Sequence, residues 1–169
     1  MISALYSIRS VLPFEEVGLT LRQHQGSIVP SLVIIFLIAL GSSAIGGLSP
    51  KGKFDSGLLL YLAILPGLNE ELVYRGVLPA CMDKLFPKNW IFVSAKVGWS
   101  AIIATVTFGL LHGLWLDDHY KLHVEIIWIR NAVLSGFIFA WLRERTGSLI
   151  VPILAHGAWY FFLFLPRMI

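Results

Sequence analysis

Two carboxylates and a guanidinium lie inside an apolar stretch that runs from about residue 57 to 82, in the octapeptide NEELVYRG at 69–76. A charged side chain at the centre of a bilayer costs at least about 2.5 kcal/mol, so it usually marks a functional site or a tightly paired one. On a helix Glu71 and Arg75 share a face and can neutralise each other. Glu70 lies about 100° around the helix from Glu71, so it needs another partner.

Two histidines in later apolar stretches, His112 and His156, are candidates for that partner. A carboxylate and an imidazole can polarise water for attack on an amide, and a second imidazole can donate to the developing oxyanion. The same groups can also hold zinc, although the chain has no His-Glu-x-x-His helix. A proton or solute relay is a third use of such groups, but five spans without an inverted repeat do not favour it.

The composition predicts a membrane protein. Of the 169 residues 57% are hydrophobic and 14% are charged, with a mean hydropathy of +0.78. Soluble domains are nearer ~45–50% apolar and ~25% charged. The net charge of +3 comes from basic residues in short loops. Basic loops of this kind set topology and meet anionic lipid, so we expect a lipid bilayer and no nucleic acid as a partner.

We predict an all-α fold, a polytopic transmembrane helical bundle of about five spans. Residues 1–28 are expected to form an amphipathic interfacial segment, and residues 29–169 a single transmembrane domain. Pro66 is expected to kink the second span. The predicted spans are Val29–Leu48, Gly57–Met82, Val97–Leu116, Glu125–Leu142 and Ser148–Leu165.

The basic residues divide unevenly between the two ends of such a bundle. Seven fall on the side of the N-terminus and four on the other, which favours a cytoplasmic N-terminus. The first group is Arg9, Arg22, Lys84, Lys88, Lys96, Arg143 and Arg145, and the second is Lys51, Lys53, Lys121 and Arg167.

Helix rise predicts the depth of the three candidate residues. At ~1.5 Å per residue, Glu70 lies ~18 Å and His112 ~22 Å from the 83–96 loop. His156 lies ~12–15 Å from the 143–147 turn, which is on the same side in a five-span arrangement. Three residues on three helices therefore fall within roughly 10 Å of one depth.

Three motifs in order resemble those of the CPBP intramembrane proteases, which include the type II CAAX prenyl endopeptidases and bacteriocin-processing and self-immunity proteins. Glu70-Glu71-x-x-x-Arg75 resembles the first motif and Phe108-x-x-x-His112 the second. His156-x-x-x-Tyr160 occupies the place of the last. The resemblance implies a short, bacterial-type member of the family.

The resemblance also implies roles for these residues in a glutamic-type intramembrane endopeptidase of the cytoplasmic membrane. Glu70 would act as general base on water and His112 would hold and activate that water. His156 would donate to the oxyanion, while Glu71 and Arg75 brace the helix. The substrate would be a membrane-anchored protein or peptide. No cofactor is expected, with a divalent metal such as zinc left open; the sequence does not predict the oligomeric state.

Tyr160 departs from the family pattern, because it stands where the family usually has asparagine. Its hydroxyl either contributes from a different geometry or leaves that role to Asn131 in the fourth predicted span. The departure also keeps a second function open. In that alternative the chain is a non-catalytic or weakly catalytic membrane scaffold or self-immunity protein with the same fold.

Overall fold

The computed structural model describes residues 12–169 as a bundle of helices joined in two places by short hairpins. The predicted all-α membrane bundle is confirmed. The helices are α1 (Phe14–Val17), α2 (Ile28–Gly47), α3 (Ser56–Glu71), α4 (Leu78–Met82), α5 (Trp99–Gly113), α6 (Ile126–Thr146) and α7 (Ile150–Met168), with a π-helical turn (Leu72–Val77) between α3 and α4.

Two antiparallel hairpins flank α5. Strand β1 (Trp90–Phe92) pairs with β2 (Ala95–Val97) before it, and β3 (Leu114–Leu116) pairs with β4 (Leu122–Val124) after it. The third predicted span, Val97–Leu116, is therefore wrong at both ends. The flanking residues are apolar, and hydropathy does not distinguish an apolar hairpin from a helix end.

Four segments of the described chain are long and apolar enough to cross a membrane: α2, Ser56–Met82, α6 and α7. Helix α5 is apolar but has only 15 residues, so it is about 22 Å long. A typical hydrocarbon core is about 30 Å thick, so α5 ends inside it when its start is at one surface. The fourth predicted span ends at Leu142, whereas α6 continues to Thr146.

Helix α7 packs between α2 and α3, and α5 packs against α6. Close approach depends on glycine: a Cβ at Gly157 would collide with the carbonyl of Ala63, and one at Gly46 with that of Leu163. Small residues let membrane helices approach closely and gain van der Waals contact. The main buried cluster lies between these helices and contains Ile38, Phe139, Leu142 and Ala155.

The structure continues α3 through Pro66 as far as Glu71. The change in helical geometry comes afterwards, in the π-helical turn that contains Arg75. The predicted kink at Pro66 stays a prediction. Turns with π geometry are rare, and those that do occur are frequently found at functional sites.

One end of the bundle gathers the N-terminal described residues, the 83–98 loop and the turn before α7. Arg143 donates to Glu16 O at 2.8 Å, and Leu149 N donates to Gly18 O at 2.9 Å. The predicted grouping of these basic loops at one end is confirmed from residue 12 onward. Residues 1–11 of the predicted amphipathic interfacial segment lie outside the described residues. The division at residue 28 stays a prediction.

Candidate active site

Glu70, His112 and His156 come together from α3, α5 and α7. Both His112 Nε2 and His156 Nε2 lie 3.7 Å from Glu70 Oε2. The side chains of Glu70 and His112 are 28% and 29% exposed, whereas that of His156 is 4% exposed. The three residues that helix rise placed near one depth therefore form one cluster, in which the Glu70 and His112 side chains are partly exposed and Glu70 Oε2 is buried without a hydrogen-bond partner among residues 12–169.

The hydrogen bonds of the two imidazoles define which nitrogen carries the proton. His112 Nδ1 lies 2.8 Å from Phe108 O, and His156 Nδ1 lies 2.7 Å from Glu71 Oε1. A carbonyl and an ionised carboxylate can only accept, so each Nδ1 is a donor. Both Nε2 atoms are thereby left facing Glu70 Oε2. Because these atoms are 3.7 Å apart, one water molecule beside the line that joins them can lie ~2.8 Å from both.

Glu71 and Arg75 form the ion pair that their spacing indicates. Arg75 Nη1 lies 3.1 Å from Glu71 Oε1, and both side chains are fully buried. Arg75 Nη2 donates to Gly136 O at 3.2 Å, and the guanidinium lies 4.2 Å from the Phe108 ring centroid. Glu71 Oε1 thus accepts from Arg75 and from His156. The pair therefore orients a histidine as well as bracing the helix.

Aromatic rings hold His156 from two sides. Its imidazole stacks on Phe139 and on Tyr160, with centroid separations of 5.0 and 5.4 Å. Asn131, the other candidate for the family asparagine, is exposed on α6. Its side-chain oxygen accepts from Arg130 at 3.1 Å. Tyr160 is therefore the one of the two that contacts the histidine.

Sequence reasoning missed the contribution of α6. Phe139 stacks on His156, and Gly136 accepts from Arg75. A Cβ at position 136 would come within 3.0 Å of Arg75 Nη2, so glycine makes room for the guanidinium. Nothing at positions 136 and 139 separates them from other apolar helix residues, since they carry no ionisable group.

Within residues 12–169, no group of three or more His, Cys, Asp or Glu residues has the arrangement of a metal site. The two Nε2 atoms and Glu70 Oε2 are nevertheless ligand types that zinc accepts. Metal dependence is therefore a question for experiment.

The comparisons with known proteins agree with the motifs. The family model described as "Type II CAAX prenyl endopeptidase Rce1-like" matches residues 53–162, well over half of the chain. The matched range contains all three motifs and every residue of the cluster around Glu70. No curated protein and no solved structure matches the chain. The chain belongs to the Rce1-like type II CAAX prenyl endopeptidase family, a family of membrane proteases.

Proposed function

We propose that this protein is an intramembrane endopeptidase that cleaves a peptide bond of a membrane-anchored protein or peptide with water activated by Glu70. One observation carries the proposal: Glu70 Oε2 lies 3.7 Å from two imidazole Nε2 atoms, and each imidazole is fixed through its Nδ1. A carboxylate beside two imidazoles whose orientations are fixed is a suitable set for general acid–base hydrolysis.

The chemical step begins with a water held by Glu70 Oε2 and His112 Nε2. Its oxygen attacks the substrate carbonyl carbon while one of its protons passes to the Glu70 carboxylate. A C–O bond forms and the carbonyl becomes an oxyanion. The Glu70 carboxylic acid then gives its proton to the leaving nitrogen as the C–N bond breaks, which restores the carboxylate.

His156 stabilises the oxyanion when its Nε2 also carries a proton. In that form His156 donates through Nδ1 to Glu71 and through Nε2 to the oxyanion, beside the two carboxylates of Glu70 and Glu71 and the guanidinium of Arg75. Glu71 and Arg75 are positioning residues in this scheme, because they act through His156.

The test is cleavage of candidate membrane peptides in proteoliposomes by wild-type protein, Glu70→Ala and His112→Ala. We expect each variant to lose at least about 100-fold in rate, the usual scale for a general acid–base group. His119→Ala is the matched control, since His119 lies in the exposed turn between β3 and β4. Wild-type processing by both variants would reject the enzyme and leave the scaffold or self-immunity function, which Tyr160 motivates.

The proposed mechanism uses no metal, so cleavage is expected to survive chelation. The same proteoliposomes are assayed after treatment with a strong zinc chelator and again after zinc is added back. Loss of cleavage that zinc restores would replace the glutamic mechanism with metal-assisted hydrolysis.

We also propose that residues 29–169 are one protease domain of the cytoplasmic membrane, preceded by the interfacial segment 1–28, with the N-terminus in the cytoplasm. The clustering of basic loops at one end supports this orientation. In a Cys81→Ser background, a cysteine at Lys84 should react with a membrane-impermeant thiol reagent from the cytoplasmic side, and one at Lys51 from the other. The reverse pattern would overturn the orientation.

A further inference from the structure

The hairpin β3–β4 begins two residues after His112, and the outer edge of β3 has no paired strand among residues 12–169. Trp115 is opposite His123 and Leu116 is opposite Leu122. Just beyond the two ends of the ladder, Glu125 N donates to Gly113 O and Asp117 N donates to Lys121 O. Antiparallel pairs alternate between bonded and non-bonded, so the odd-numbered residues of β3 point their backbone groups toward β4.

The even-numbered residues of β3 point their backbone groups away from β4. Leu114 N is already used, because it donates to Leu110 O at the end of α5. The outer edge of β3 therefore offers the carbonyl of Leu114 together with the N–H and carbonyl of Leu116. Leu116 as a whole residue is 60% exposed.

The position of this edge relates it to the catalytic cluster. Strand β4 leads directly into α6, so it lies on the α6 side of β3. Helix α5 packs on α6 at Gly109 and Gly113, and its His112 Nε2 lies 3.7 Å from Glu70 Oε2. The outer edge of β3 is the one opposite β4, and its first residue lies two positions after His112 in the chain.

Helix α5 is about 22 Å long, so β3 starts inside the ~30 Å hydrocarbon thickness when α5 begins at one surface. Unpaired backbone groups are costly at that depth and are tolerated where they border water or protein. An extended peptide supplies the missing partners by adding a strand to the edge.

We propose that the substrate binds as an extended strand added to the outer edge of β3, which presents its scissile carbonyl to Glu70. The proposal rests on the proteolytic function above. It also accounts for how a helical membrane segment becomes cleavable, since a helix engages its own carbonyls in hydrogen bonds. Unwinding the segment exposes its backbone, and the β3 edge receives the exposed groups.

Side-chain contacts within the hairpin stabilise it. The Trp115 ring stacks on that of His123 at 5.4 Å with an interplanar angle of 9°, and His123 Nε2 lies 2.8 Å from Asp117 Oδ2. Asp117 Oδ1 also accepts from the backbone N–H groups of His119 and Lys121. A preformed edge lowers the entropy cost of binding an extended peptide.

The directly opposed residues Leu116 and Leu122 provide a matched test. Leu116→Pro removes the donor on the β3 edge, and Leu122→Pro removes the equivalent donor on the outer edge of β4. Proline is tolerated where a strand N–H faces outward, so both hairpins should form. We expect Leu116→Pro to weaken substrate binding roughly tenfold or more, the scale of a lost hydrogen bond plus a steric clash, and Leu122→Pro to change it less than about twofold.

Binding is measured by fluorescence anisotropy of a labelled membrane peptide in a Glu70→Gln background, and cleavage is measured in the parent background. If Leu116→Pro and Leu122→Pro weakened peptide binding equally, the proposal that the substrate adds a strand to β3 would be wrong. If Glu70→Gln cleaves like wild type, the proteolytic function itself is wrong; if Glu70→Gln is inactive and the prolines are equal, only the strand proposal is wrong.

A second measurement leaves the protein unchanged. Single backbone amides of the peptide are N-methylated in turn, and cleavage by the wild-type protein is recorded. An added strand predicts losses of roughly tenfold at every second position, because alternate residues of a strand bond to one neighbour. Losses without this period of two would overturn the proposal independently of whether the proline variants fold.

Discussion

Glu70 and Glu71 are neighbours in the sequence, yet they belong to different halves of the site. Glu71 is wholly buried and accepts hydrogen bonds from Arg75 and His156. Glu70 is 28% exposed and lies 3.7 Å from each histidine, beyond direct hydrogen-bonding distance. In the dry half, which is Glu71 with Arg75, protein groups satisfy Glu71 Oε1, whereas Glu71 Oε2 and Arg75 Nε have no hydrogen-bond partner among residues 12–169. In the wet half, which is Glu70 with His112, Glu70 Oε2 has no such partner either and faces two imidazole nitrogens, which leaves it for water and substrate.

The two carboxylates are accommodated in the apolar bundle in different ways. A buried charge is tolerated when geometry and hydrogen bonds compensate for lost hydration. Arg75 provides this for Glu71, and its guanidinium also donates to Gly136 O and lies over the face of Phe108. The Glu70 side chain has no such arginine partner and is 28% exposed.

The largest expected effect on stability comes from Glu71→Gln. This change leaves the Arg75 charge buried without its anion, and breaking such a pair typically costs about 3–5 kcal/mol. Thermal unfolding in detergent, compared with wild type, measures the loss. Glu15→Gln is the control, since Glu15 is exposed on α1. If Glu71→Gln unfolded at the wild-type temperature, the claim that Glu71 has a structural role distinct from that of Glu70 would be wrong.

The two histidines should also differ, with His156 supporting both stability and cleavage and His112 supporting cleavage alone. His156→Ala removes a buried partner of Glu71 and the oxyanion donor, so both stability and cleavage should fall. His112→Ala should lower cleavage by about 100-fold while the unfolding temperature stays near wild type, because His112 is partly exposed. Parallel unfolding and cleavage assays test the split. If His112→Ala lowered the unfolding temperature strongly and His156→Ala did not, His112 rather than His156 would be the structural histidine.

Tyr160 should have a smaller effect that reports on ring packing. An aromatic stack contributes about 0.5–1.5 kcal/mol, so Tyr160→Ala should lower cleavage by up to roughly tenfold through a displaced His156. Tyr160→Phe keeps the ring and should stay within about twofold of wild type. Equal losses in the two variants would show that the hydroxyl takes part in the reaction.

The smallest effect concerns the hairpin beside the wet half. The hydrogen bond from His123, with that from Lys121 N, lowers the pKa of Asp117 below its ordinary value. The stabilisation is fully present above the ordinary aspartate pKa of about 3.9 and is lost as pH falls through the lowered value. Hydrogen-exchange protection of 114–124, corrected for intrinsic rates, should fall as the pH is lowered below about 3.9. An equal fall in Asp117→Asn would contradict this.

The sequence predicts the parts of the site that follow from helix geometry. The spacing of Glu71 and Arg75 places them on one face, and helix rise places Glu70, His112 and His156 near one depth. The π-helical turn and the β3 edge escape such reasoning. The first depends on packing against other helices, and the second lies in apolar residues that hydropathy assigns to a span. The partners from α6 are missed because Gly136 and Phe139 are ordinary helix residues.

The separate roles of the two carboxylates are tested most directly by Glu70→Gln, measured for cleavage and for thermal unfolding in the same preparation. The predicted result is a loss of at least about 100-fold in cleavage with an unfolding temperature equal to or above that of wild type. Wild-type cleavage would contradict the assignment of Glu70 as general base. A collapse in unfolding temperature like that expected of Glu71→Gln would contradict the division into a dry and a wet half.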